Sequence, residues 1–168
     1  MLALRALQQA DEAAAEAAHT RMSAEGFTFL LYRDRVDTFR EYLDLLQRQH
    51  AGGDARPGQV RESFLIAEVN GQIVGRVSIR HELNDHLKRR GGHIGFGVLP
   101  EHRRRGYATT IFRRSLDILA AEGLTTALVT CDDDNLPSIA TIERCGGQLA
   151  ERANIDGVLV RRYHVPTT

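Results

Sequence analysis

The sequence has no surplus of charge: 22 basic residues face 22 acidic ones, for a formal net charge of zero. A chain that mainly binds nucleic acid normally shows a basic excess, so no nucleic-acid partner is expected. No apolar run approaches the ~18 residues that a membrane-spanning helix needs, so no membrane partner is expected either. The opening residues, Met1-Leu-Ala-Leu-Arg-Ala-Leu7, run straight into charged sequence. That is not the pattern of a signal peptide. Cysteine is scarce: Cys131 and Cys145 are the two present, and they show no metal-ligand spacing. They read as reduced thiols, which points to the cytoplasm. Internal repeats and low-complexity linkers are lacking too.

What is present is a soluble, globular composition, 42% hydrophobic and 26% charged. At 168 residues the chain suits one domain, residues 1–168, with a sizeable core. A short strand is expected near Leu2 to Leu7, then a helix capped by Asp11 and running to Met22. A second helix should start near Asp34 to Asp37. Val36, Phe39, Leu43 and Leu46 give it helical spacing, and it should stop before Gly52-Gly53. Ala51 to Gly58, with three glycines and Pro57, reads as a mobile loop. Phe64 to Val69 and Ile73 to Ile79 read as strands joined by a tight turn at Asn70-Gly71. Further strands are expected from His93, over Leu124 to Thr130, Gln148 to Arg152 and Val158 to Val165. Helices should follow Gly106 and span Pro137 to Cys145. The expected fold class is α/β (α+β), a mixed, mostly antiparallel central sheet with helices on both faces. Its order is β-α-α-β-β-β-α-β-α-β-β.

The most informative segment is Val98-Leu-Pro-Glu-His-Arg-Arg-Arg-Gly-Tyr-Ala-Thr109. A strand ends at Pro100, and a helix opens at Gly106 and Ala108. A helix N-terminus presents unpaired N–H groups and the positive end of a dipole. Gly106 and Ala108 keep side chains out of a diphosphate's way. Arg103, Arg104 and Arg105 are poorly placed at a helix start unless an anion joins them. The plainer alternative is a solvated basic turn.

Arg103-x-x-Gly106-x-Ala108 resembles the coenzyme A signature of the GNAT N-acetyltransferases, and Val98-x-Pro100-Glu101-x-Arg103 resembles its usual lead-in. Asn135-Leu-Pro-Ser138, followed by a helix closing on Gly146, resembles the family's second landmark. The likeness covers about Phe64 to Val165 and implies the same element order. It implies that acetyl-CoA is the cofactor and that Phe96, Gly97, Val98, Arg103, Arg104, Arg105, Gly106, Tyr107, Ala108, Asn135 and Ser138 contact it. In the family the strand before the signature splays from its neighbour and pairs with pantetheine. Gly95 and Gly97 would allow a bulge there, or merely close packing.

The stretch Arg80-His81-x-Leu83-Asn84 to Gly91-Gly92-His93-Ile94-Gly95 resembles a subgroup of the family that brings no substrate with it. It would lie beside the acceptor end of the cofactor. His81 and His93 are candidate general bases, since histidine titrates near neutrality. They are equally candidates for satisfying buried backbone groups in a tight loop. The family's common thiolate-protonating tyrosine falls on Ile142, and its common base position falls on Gly92, one residue from His93. A bulge would bring His93 into register. Tyr107 and Tyr163 are substitute acids. Asp132-Asp133-Asp134 reads as a helix-dipole complement, and no metal is expected.

The resemblance implies direct acetyl transfer to a primary amine of a small molecule or peptide, with the backbone N–H of Val98 polarising the thioester carbonyl. A homodimer is one assembly open to it. An acyl-enzyme on Cys131 or Cys145 is disfavoured by their places at the ends of a buried strand and a helix. Two rival readings stand: a non-enzymatic acyl-CoA-binding or regulatory module, supported by Ile142, and an adaptor whose helix Asp37 to Gln49 docks onto a partner.

Overall fold

The computed structural model describes residues 1–53 and 58–168. The inner part of the expected Ala51–Gly58 loop lies outside them. The first strand, β1 (Leu2–Arg5), leads into a single 3-10 turn at Gln9–Asp11 and then α1 (Glu12–Ser23). Asp11 does not cap α1 with its side chain. Its carboxylate takes both terminal nitrogens of Arg5 (2.7 and 2.9 Å) and the Gln8 N–H (2.8 Å). A bidentate charge-assisted pair outcompetes one cap bond. Helix α2 (Phe39–Ala51) starts later than the acidic residues suggested, because Thr38 and Glu41 form a capping box. Thr38 accepts from the Glu41 amide (3.2 Å), and the Glu41 carboxylate accepts from the Thr38 amide (2.9 Å). Arg33–Arg35 forms a separate 3-10 turn instead.

Strands β2 (Glu62–Val69) and β3 (Gln72–Arg80) form the expected hairpin. Asn70 and Gly71 both have positive φ, 51° and 78°, as a turn matched to strand twist demands. Between β3 and β4 (Ile94–Val98) lies a five-residue helix absent from the expected order, α3 (Asp85–Arg89). The Asn84 side chain caps it by accepting from the Leu87 amide at 2.9 Å. Then come α4 (Tyr107–Ala121), β5 (Thr126–Asp132), α5 (Leu136–Arg144), β6 (Gln148–Ile155) and β7 (Val158–Pro166).

The antiparallel strands flanked by helices match the expected fold class, and they divide between two sheets, in the orders β1-β2-β3-β4 and β5-β7-β6. Among the described residues no parallel ladder forms. A single bridge, Gly92 to Val129, joins the two sheets. The first sheet is covered on both faces, so its strands are apolar at successive positions. Phe64 and Ile66 of β2 pack with Phe29, Tyr42 and Leu46 under α1 and α2. Leu65 and Ala67 face the other way, into the cluster with Val77, Phe112 and Leu116 of β3 and α4. Phe39, Tyr42, Leu45 and Leu46 of α2 are buried in this chain's own core. That leaves the adaptor reading without its apolar docking face. No helix among the described residues is long and apolar enough to cross a membrane.

Candidate acetyl-CoA and acceptor sites

The site begins where the two sheets part. At the root of the cleft the His93 amide donates to the Leu128 carbonyl at 2.7 Å, and the Leu128 amide donates to His93 Nδ1 at 2.9 Å. Beyond that point β4 pairs only with β3. The Arg80 amide bonds the His93 carbonyl and the Leu99 amide bonds the Val74 carbonyl. Antiparallel pairing alternates, and the register sets Phe96 opposite Val77 and Val98 opposite Gly75. Phe96 and Val98 therefore turn their N–H and C=O groups away from β3, toward the cleft. The β3–β4 register has no shift. The bulge that would have brought His93 into line is not there. Gly97 serves close packing instead: a Cβ on it would sit 2.5 Å from the Phe27 ring.

A cavity of about 610 Å³ runs from this strand to the start of α4. Phe96, Gly97 and Val98 form one wall; Arg103, Arg104, Gly106, Tyr107 and Ala108 form the end; Asn135 and Ser138 of α5 close the side. Gly106 caps α4 with φ 78°, no side-chain cap bonds the first turn, and no acidic residue lies in it. The amides of Tyr107, Ala108 and Thr109 have no acceptor within the helix, and all three residues line the cavity. Arg104 also holds a positive φ, 60°, which shapes the approach.

The arginines divide. Arg104 lines the cavity, whereas Arg105 is exposed and does not. Arg103 is a brace as well as a charge. Its Nε donates to the Val98 carbonyl at 3.1 Å and its Nη2 to Glu25 at 2.6 Å. Asn135 caps α5 by accepting from the Ser138 amide at 3.2 Å, so its plain structural role is real and coexists with its place on the wall.

A second, smaller cavity of about 270 Å³ lies between β4 and β5. Phe27, Phe96, Asn135 and Ser138 line both cavities. The smaller one is otherwise cationic, with Arg76, Arg80 and Arg90 on its walls. Arg76 is 4% exposed and donates to the carbonyls of Phe29, Thr28 and Gly95. Burial, helped by the nearby Arg80 charge, pulls its pKa down to about 10. Phe27 stacks on its guanidinium at 4.4 Å. Sequence reading missed Phe27, Met22, Glu25 and Arg76 as wall residues. Phe27 and Glu25 sit in the aperiodic stretch after α1, where no pattern marks which side chain turns inward.

Neither candidate histidine lines either cavity. The His93 ring accepts a backbone N–H on Nδ1, which fixes it as the neutral Nε2–H tautomer, and burial lowers its pKa. The His81 side chain is 3% exposed, with Nε2 at 2.6 Å from Ser63 Oγ and Nδ1 at 2.7 Å from Glu122. Burial outweighs Glu122 and lowers its pKa as well. Both therefore fit the alternative of satisfied buried groups, and the geometry gives neither a line to a substrate. Tyr163 is buried, donates to Glu143 at 2.9 Å and lines neither cavity. Tyr107 lines the larger one. Ile142 is fully buried on the wall of the smaller cavity, so no acid stands there. Burial raises the Cys131 thiol to about 11, which disfavours an acyl-enzyme there.

The Acetyltransferase (GNAT) family model matches residues 28–147. The mycothiol acetyltransferase of Streptomyces griseus is 36% identical over 93 residues, 55% of this chain and 29% of that protein. The chain thus spans less than a third of the curated relatives it matches. Among solved structures, a ribosomal L7/L12 alpha-N-protein acetyltransferase in complex with coenzyme A superposes with a TM-score of 0.72 at 17% identity. That match covers 98% of this chain and 93% of that one. Spermidine N-acetyltransferase from Vibrio cholerae, in complex with CoA and spermine, gives 0.67 at 20% identity, covering 99% and 95%. At these identities the structures speak for the fold, and it is the family match over well over half the chain that decides membership: the chain belongs to the GNAT family of acetyltransferases.

Proposed function

We propose that this chain binds acetyl-CoA in the larger cavity and passes the acetyl group to a primary amine entering by the smaller one. The observation that carries this is the pairing of an uncapped α4 N-terminus with a strand whose amides face the same cavity. Anionic oxygens of the diphosphate would meet the amides of Tyr107 to Thr109 and the Arg104 charge. The pantetheine amides would pair with Phe96 and Val98 as an added strand does. A structural neighbour solved in complex with coenzyme A is consistent with this assignment.

The chemistry needs little from side chains. The amine nitrogen attacks the thioester carbonyl carbon, whose oxygen a backbone N–H of β4 polarises. The C–S bond breaks, the thiolate leaves, and the amine proton passes to solvent. A thiolate is a good enough leaving group that Ile142 in the tyrosine position does not forbid the step. Holding amine and thioester together supplies much of the acceleration.

Among the described residues no histidine, tyrosine or glutamate lines the smaller cavity, and its one carboxylate, Asp132, is paired with Arg90; this favours one rival, an acyl-CoA-binding module without turnover. Steady release of free coenzyme A thiol with any member of an amine panel supports the transferase. Saturable acetyl-CoA binding with no amine-dependent thiol release across that panel supports the binding module.

A further inference from the structure

Resting on that reading, we infer that the acceptor is an amine that also carries a carboxylate, an amino acid rather than a polyamine. The smaller cavity has three guanidinium groups on its walls and one carboxylate, Asp132. Asp132 is already held by Arg90 at 2.9 Å. Arg80 has a loose ion pair with Glu62, at 3.5 Å, and two long bonds to the Gly91 and Gly92 carbonyls, at 3.3 and 3.4 Å. Arg76 donates to backbone carbonyls alone, and among the described residues no carboxylate lies within ion-pair distance of it.

Both guanidinium groups flank Gly95. The point where a side chain on Gly95 would begin lies 3.4 and 3.6 Å from Arg80 Nη1 and Nη2, and 3.9 Å from Arg76 Nη1. With no Cβ at Gly95, the strand leaves the ends of both groups uncovered on this wall. Two like charges side by side on one cavity wall, with one loose carboxylate partner between them, favour a carboxylate-bearing ligand: a planar guanidinium matches its two oxygens. The point lies on β4, one residue before Phe96, whose backbone would hold the cofactor. An acceptor anchored there has its amine a short reach from the thioester. A polycation would meet repulsion from Arg76 and Arg80 at the same point.

The test compares matched amines on the full chain: leucine with isoamylamine, phenylalanine with phenethylamine, β-alanine with ethylamine, and spermidine besides. Thiol release should favour the carboxylated member by about ten- to a hundredfold in kcat/KM, the worth of charged hydrogen bonds to an ionised group. Spermidine should be the poorest acceptor. Arg80→Gln should bring the ratio close to one. Gly95→Ala should do the same by setting a methyl against both guanidinium groups and shielding them from a ligand. It is mild for the fold, since its Cβ meets the flexible end of Arg80. Both should keep the melting shift that acetyl-CoA produces.

Binding without turnover supplies a separate reading: coenzyme A-saturated protein should be stabilised further by N-acetylleucine and not by N-isoamylacetamide. Equal use of both members of each pair, or a parental ratio in Gly95→Ala, overturns the inference while acetyl transfer stands. So does failure of N-acetylleucine to stabilise the coenzyme A complex. Absence of any acetyl-CoA shift overturns the cofactor assignment and the inference with it.

Discussion

His81 spends both ring nitrogens on the protein itself and His93 its Nδ1, and the expected consequence is a pH dependence of stability rather than of catalysis. Burial holds both below the ordinary histidine value near ~6.5. Between the lowered folded value and ~6.5 the unfolded chain binds more protons than the folded one, so stability rises with pH across that window. Above ~6.5 the contribution is complete, and below it the contribution is lost progressively. For His81 the facing groups are Ser63, Glu122, Arg61 and His50, which does not reverse the sign. Melting temperature should therefore fall between pH 7.5 and pH 5.5. His93→Asn should flatten that fall, because its amide oxygen can accept the Leu128 N–H without titrating. Both His81→Asn and His93→Asn should keep turnover, well short of the roughly 10²–10⁴-fold loss that follows removal of a general base. A loss of that size in a variant that melts normally would restore the histidine concerned to catalysis. The sequence showed two histidines in a tight connection. Whether a ring turns into a cavity depends on strand parity and on which pairs hold the sheets together, and neither is written in the connection itself.

Elements were legible where a local rule decides them and not where a tertiary contact does. Asn70-Gly71 dictates its hairpin, and the unbroken apolar run Phe64 to Ala67 of β2 follows from burial on both faces. The start of α2 was misplaced because Asp34 and Asp37 compete with the stronger reciprocal cap of Thr38 and Glu41. Thr38→Ala should cost about 1 kcal/mol, read from a denaturation midpoint. Strand β4 is the sharper case. Its glycines suggested a bulge, but the reason for Gly97 is Phe27, a residue seventy positions away. Gly97→Ala puts a methyl 2.5 Å from that ring, so the ring or the strand must shift, at about 1–3 kcal/mol. Because Phe27 walls both cavities, acetyl-CoA should stabilise this variant less than the parent. Adding Phe27→Leu should return part of the loss. If Gly97→Ala matches the parent in both measurements, the Phe27 contact does not shape the site.

At the scale of the whole molecule, the two sheets meet, among the described residues, at the Gly92–Val129 bridge and the bonds of Arg90, Gly91 and His93 beside it, and part beyond them into a cleft that no single element contains. The element order was readable from patterns and from the family resemblance. The division into two sheets was not, since it depends on where β4 stops meeting β5. A ligand lying along that cleft touches β4, α4 and α5 together, so it should stabilise the entire fold. At a hundredfold excess over its dissociation constant acetyl-CoA should add about 2.7 kcal/mol, a rise of roughly 5–11 °C in melting temperature for a chain of this size. Gly106→Asp should remove that rise and leave the fold. Aspartate tolerates a positive φ better than most residues, and nothing lies within 4 Å of the Cβ it would add. Its carboxylate would stand where the diphosphate is placed and repel it. A parental shift in Gly106→Asp would move the anion site away from α4, and no shift in the parent at millimolar acetyl-CoA would remove the cofactor from this cleft altogether.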